Sequence, residues 1–334
     1  MSAKKTLYIT VLAFMWIVMA IMLTPILGES SSNSLHVIVT FPNLVYDVEP
    51  LLCKGDTIYP IAPMGIDPHE YQLTPSDVNE LRKADIIIST GHAPFEKSIE
   101  EKLGEEIKGE IIIIPKIPGI KILTNPATGN PNYHMPIYDP ENYKVFIKYV
   151  ADMLAKRRPE CAYYYNEKAS EIISKIDLLI KNTPKLNVKA VADTPTIQYA
   201  ITWLNVNLKY LLIKEHEAPA SPKDIENVLK AIEEGEIKLV IINNPPRQKA
   251  SQMLKEIAEE KNLPILYVPI AFSEGSFLEK LSEISREAWS ISETISKTNL
   301  GVKAGSPGTL SYELLMPIVL AIVVIAFVII KLRR

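Results

Sequence analysis

Cysteine is almost absent from this 334-residue chain; Cys53 and Cys161 are the only two. At most one bridge is available, which excludes a disulfide framework as the source of stability. The pair could close outside the cell, but sequence does not show whether the two Cα atoms lie close enough, and two free buried thiols are the simpler expectation. Glycine is scarce, at 13 residues, so few hinges and little closure between parts are expected. No charge predominates: 36 Lys and Arg stand against 39 Asp and Glu, net −3. That balance lacks the basic excess of a nucleic-acid binder. Gly-x-Ser-x-Gly, His-Glu-x-x-His and a Gly-rich phosphate loop are all missing. Asp67 with His69 has no nucleophile to complete a triad, so an enzyme is not expected. Binding or coordination is the chemistry left.

Long uncharged runs that are also predominantly apolar occur only at the ends. Residues 7–27 follow Lys4 and Lys5 and have about the length of a spanning helix. They read as a signal peptide or a retained N-terminal anchor, with no clean cleavage site to choose between them. Residues 314–330 are uncharged and end in Lys331-Leu332-Arg333-Arg334, which reads as a C-terminal transmembrane helix. Both basic ends then lie in the cytoplasm. The body is expected outside the cytoplasm, tethered to the cell membrane through short polar linkers.

The intervening roughly 270 residues exceed one typical core. Apolar strands at 35–40, 57–61, 86–88 and 111–114 alternate with helical spacing, and the pattern returns at 188–192, 210–213, 238–242 and 265–268. Near-continuous apolar strands with helices between them indicate parallel α/β sheets. Residues 43–52, 77–84, 139–157, 160–182, 196–204 and 248–261 read as helices, and Ser221-Pro222 opens another as N-cap and first-turn proline. The reading is of two parallel-sheet α/β lobes joined by one long backbone helix, plus the terminal transmembrane segments. Its parts are 1–28 (signal or anchor), 35–138 (first lobe), 139–183 (linking helices), 184–298 (second lobe), 299–312 (linker) and 313–331 (transmembrane helix).

The densest motif is Gly65-Ile66-Asp67-Pro68-His69-Glu70-Tyr71, followed by Thr74-Pro75-Ser76-Asp77, a helix and Ala84-Asp85. It sets an imidazole after a rigid Asp-Pro step, a good placement for a divalent-metal ligand. In residue type and spacing the run resembles the cluster 9 solute-binding proteins that serve zinc and manganese ABC importers. The resemblance extends over roughly residues 35–290. It implies two lobes on a backbone helix with a metal in the cleft, Zn²⁺ or Mn²⁺ as the transported ligand, and an ABC permease with its ATPase as partners.

Carried onto this chain, the resemblance makes His69 the first ligand and His134, ahead of Asp139-Pro140, the second. An alternative register puts Asn132 in the second place. His92, after the third strand, is a candidate substitute ligand. The second lobe departs from the pattern: Thr194 stands where the family has His, with Asp193 beside it as a candidate replacement or helix N-cap, and no carboxylate is in register after the last strand, although Glu274 is near. His216 is a weaker candidate. The metal ligands expected are His69, His134, His92 and Asp193. Two other readings keep the fold: a cleft that takes a metal chelate or another solute through Asn243, Asn244 and Arg247, or a surface adhesin that has lost part of the site.

Overall fold

The computed structural model describes residues 34–66, 70–214 and 220–301. Four short strands, β1 (His36–Val39), β2 (Thr57–Pro60), β3 (Ile86–Ser89) and β4 (Glu110–Ile113), form an all-parallel sheet in the order β2-β1-β3-β4. A two-stranded antiparallel ribbon, β5 (Leu123–Thr124) with β6 (Pro131–Asn132), follows. The second sheet contains β7 (Lys189–Ala192), β8 (Asn207–Leu211), β9 (Leu239–Asn244) and β10 (Ile265–Pro269), again all parallel, in the order β10-β9-β7-β8. The first strand of each lobe is therefore central. The equivalence reaches single residues: Thr40 N–H donates to the Ile88 carbonyl just as Asp193 N–H donates to that of Ile241.

Both sheets are covered on both faces, as parallel sheets must be. Alternation along β1 and β3 sends Val37, Val39, Ile86 and Ile88 to one core and Ile38 and Ile87 to another. In the second sheet Ala190, Ala192, Leu239 and Ile241 join the same first core, whereas Val191, Val240 and Ile242 face outward helices. One continuous core thus runs through both lobes.

The helices expected from the sequence start close to their expected positions. The expected 43–52 helix is the exception: only α1 (Val45–Val48) is α-helical, flanked by 3-10 turns at Pro42–Leu44 and Glu49–Leu51. Pro42 and Pro50 lack the N–H that a longer ladder would need. Then come α2 (Pro75–Lys83), with a reciprocal Thr74–Asp77 capping box, and α3 (Pro94–Leu103). Asp139 caps α4 (Pro140–Arg157) by accepting from Glu141 N and Asn142 N at 2.9 and 3.0 Å. The α4 helix packs along α5 (Ala162–Asn182), so the link between lobes is a helix pair. The second lobe adds α6 (Ile197–Ile201), α7 (Pro222–Glu233), capped by Ser221 as expected, α8 (Lys249–Glu260) and the long α9 (Phe277–Gly301).

Two further sequence expectations change. The strand placed at 210–213 begins at Asn207, because Asn207 N–H already joins the ladder at the Val188 carbonyl. Cys53 and Cys161 are not free thiols; they form a disulfide across 108 residues, tying the loop before β2 to the α4–α5 turn. Beside it, buried Asp56 pairs with Arg158 at 2.7 Å and accepts from Tyr165 Oη at 2.6 Å and Leu35 N at 2.9 Å. Among the described residues no helix is long and apolar enough to cross a membrane. The runs 7–27 and 314–330 lie outside the described residues.

Candidate metal centre

Ligands of open parallel sheets gather beyond the carboxyl ends of the strands. At that end of β3, the turn Thr90-Gly91-His92-Ala93 is held by one buried carboxylate. Glu96 on α3 accepts from Thr40 Oγ1 (2.6 Å), Thr90 N (2.7 Å), His92 N (3.0 Å) and Ala93 N (2.9 Å). Gly91 is required in this turn: its φ is +69°, and a Cβ there would stand 2.6 Å from the Ile113 side chain. Glu96 is thus spent on fixing the loop that presents His92.

His134 arrives from the opposite direction, on the segment between β6 and α4. Its ring centroid lies 4.4 Å from that of His92. The residue two before it sets its chemistry. Asn132 is 1% exposed, and its Nδ2 donates to the Pro195 carbonyl at 2.9 Å and to Gln198 Oε1 at 2.8 Å. Its Oδ1 is therefore the acceptor that faces His134, at 3.0 Å from the backbone N and 2.9 Å from Nδ1. Nδ1 must carry the proton and donate it, which leaves the lone pair on Nε2, the tautomer a metal requires. This also removes Asn132 as an alternative ligand, since both ends of its amide are committed. The sequence offered Asn132 only as a competitor to His134; its role as the group that orients His134 depends on Pro195 and Gln198, more than 60 positions away.

The second lobe contributes differently. Asp193 is fully buried, and its carboxylate accepts from Asn243 N (2.9 Å), Asn243 Nδ2 (3.2 Å) and Ser251 Oγ (2.7 Å). Burial pushes its pKa up, opposed by those hydrogen bonds. These bonds join β7 to β9 and α8 through Asp193. Asp193 is not a helix N-cap, because that place belongs to Thr196. Thr194 accepts from Asn243 Nδ2 at 2.7 Å.

A cavity of about 650 Å³ lies between the lobes. Phe41, Met64 and Ile66 line it from the first lobe, and Thr194, Asn243 and Arg247 from the second. Glu274 is the one carboxylate among its described lining residues. A smaller hollow of about 400 Å³ reaches His92 and Tyr133 from the β4 side. The larger space and the imidazole pair are therefore adjacent features with different described linings. Neither His69 nor His216 falls within the described residues. Among the described residues no group of three His, Cys, Asp or Glu is close enough to hold a metal ion.

The turn after β10 is organised by a buried ammonium. Lys280 Nζ donates to the carbonyls of Ala271 (3.2 Å), Ser273 (2.8 Å) and Gly275 (2.6 Å). Burial pulls its pKa down to about 8, with Asp47 acting in the opposite direction. Nothing in the spacing of Lys280 on α9 signalled this role.

Comparison with known proteins identifies the family. Residues 37–284 match the family described as zinc-uptake complex component A periplasmic, ZnuA. The chain is 23% identical over 252 residues to the manganese ABC transporter substrate-binding lipoprotein PsaA of Streptococcus mitis, covering 71% of this chain and 80% of that protein. It is likewise 23% identical over 255 residues to the metal ABC transporter substrate-binding lipoprotein FimA of Streptococcus parasanguinis, covering 71% and 81%. Among solved structures, it is similar in fold to the solute-binding protein FpvC of Pseudomonas aeruginosa in complex with Mn²⁺, with TM-score 0.62, 16% identity, and coverage of 79% of this chain and 99% of that one. A crystal structure of ZnuA gives TM-score 0.60 at 18% identity, covering 78% and 99%.

Proposed function

This chain belongs to the ZnuA family, and from that premise we propose that it is the extracytoplasmic metal-binding component of a zinc- or manganese-type ABC importer. It captures a divalent cation and delivers it to a permease driven by an ATPase. The family is one of transporter components, so the work is coordination and release of cargo. The observation that carries the reading within this chain is the 4.4 Å approach of the His92 and His134 rings, with the His134 lone pair directed to Nε2 by Asn132.

The cation is held mainly by the first lobe, by His134 and His92, with His69 from the Asp-Pro-His loop as the third imidazole. Asp193, although next to the equivalent second-lobe position, acts as a structural anchor. A donor set of imidazoles favours Zn²⁺ over the harder Mg²⁺ or Ca²⁺, and among transported ions favours Zn²⁺ over Mn²⁺. The relatives include lipoproteins by name. For this chain the terminal runs 7–27 and 314–330 supply the tether, with the body outside the cytoplasm.

The test is calorimetric titration of the chelator-stripped protein with Zn²⁺ and Mn²⁺, beside the His92→Ala, His134→Ala double variant. One-to-one binding that the double variant loses supports the reading. Binding that survives both substitutions places the cargo elsewhere.

A further inference from the structure

The space between the lobes is far larger than one cation needs. Metal–ligand distances are about 2 Å, whereas cavities of about 300–1,000 Å³ are the size that takes small organic molecules. The cleft, at about 650 Å³, falls in that range. Apart from Glu274, its second-lobe wall presents hydroxyls, amides and a guanidinium as polar groups. Thr194, Thr196, Asn243, Arg247 and Gln248 all line it.

Two features of that wall attract negative charge. Arg247 makes no ion pair or hydrogen bond among the described residues, although it lies at the cleft. It stands directly before α8, whose N-cap, Gln248, makes no side-chain capping bond and whose first turn holds no acid. The first-turn N–H groups therefore keep their positive end of the helix dipole without an acceptor from the chain. A third, independent observation comes from the first-lobe side. Asn43 is fully buried, lines the same cleft, and has neither its amide nitrogen nor its amide oxygen hydrogen-bonded. A buried amide left without partners costs stability unless something else satisfies it.

We infer that the interlobe cleft also takes a small organic anion, whose carboxylate is held by Arg247 and the first turn of α8, beside the metal on the first lobe. The inference rests on the metal reading for the ion and on the lining of the cleft for the anion. Phe41, Met64, Ile66 and Phe272 give the carbon skeleton an apolar floor. Asn43 offers one donor and one acceptor to a hydroxyl or carboxyl group.

The test uses the full-length chain in detergent, with labelled citrate as the probe, measured metal-free and then with Zn²⁺. Wild-type protein should retain about one citrate per chain, and Arg247→Ala should weaken retention about tenfold or more, the loss expected for one hydrogen bond to a charged group. Arg247→Lys should recover part of it, because the charge returns without the planar fork. Failure of the wild type to retain citrate, or equal retention by Arg247→Ala, overturns the inference. Zinc uptake without citrate is read in parallel. Its absence would sink the metal reading alone, whereas its presence with no citrate retention would sink only the anion site.

Discussion

The Asn132 amide oxygen stands 2.9 Å from His134 Nδ1, and the rest of that amide is locked to the second lobe. A first-lobe imidazole is therefore oriented by a contact that spans both lobes. Substituting Asn132 by Ala should leave the ligand in place but free its ring. We expect about a 10- to 100-fold loss of Zn²⁺ affinity, as for other groups that orient a ligating histidine. Calorimetry decides this; unchanged affinity would mean that the contact does not orient a ligand.

Asp193 provides the contrasting case. Asp193→Ala strands the Asn243 N–H and the Ser251 hydroxyl in the interior. The expected cost is roughly 2–4 kcal/mol of stability from unpaired buried groups. Chemical denaturation reports that cost, while Zn²⁺ stoichiometry at low temperature should stay the same. If stoichiometry falls in a variant that unfolds normally, Asp193 is a ligand after all.

The Cys53–Cys161 bridge closes a long loop of 108 residues. Replacing both cysteines by serine should lower stability by about 2–5 kcal/mol. The buried Asp56–Arg158 pair should keep the two segments together in the variant. Removing Asp56 as well should cost more than the sum of the separate losses. A double-mutant cycle by denaturant unfolding measures this, and simple additivity would show that the bridge and the ion pair act independently.

Asp47, on α1, accepts from Tyr143 Oη at 2.6 Å and from Phe277 N at 2.8 Å, and burial lifts its pKa to about 7. The protonated form is thus favoured by folding. Its contribution to stability is full below the ordinary aspartate range and is lost as pH rises through about 7. Lys280 has the opposite sign: its pKa is depressed to about 8, so its contribution is present at high pH and is lost as pH falls through that value. Wild-type stability measured from pH 4.5 to 7.5, a range chosen around these values, should decline more steeply with pH than that of Asp47→Asn. Parallel curves would contradict a raised pKa.

Much of the fold follows from local pattern. The isoleucine runs at 86–88 and 111–114 form β3 and β4, and Ser221-Pro222 opens its helix where the sequence places it, whereas the Thr74 cap starts α2 at Pro75, ahead of the expected 77–84 helix. Two α/β lobes could be read because apolar periodicity and capping act over a few residues, and the motif from Gly65 to Asp77 was enough to suggest the family. The candidate site was legible in part. His92 and His134 were named from their motifs, but their 4.4 Å approach brings together segments some 40 positions apart. Tertiary structure alone decided what the other polar groups do. Asn243 and Ser251, from β9 and α8, meet the Asp193 carboxylate, three carbonyls surround Lys280, and the two lone cysteines form a bridge where the α4–α5 turn meets the loop before β2. Local sequence determines which elements form. Whether a carboxylate, an amine or a thiol binds cargo or holds the frame depends on which partners distant segments bring to it, and on how much water they leave.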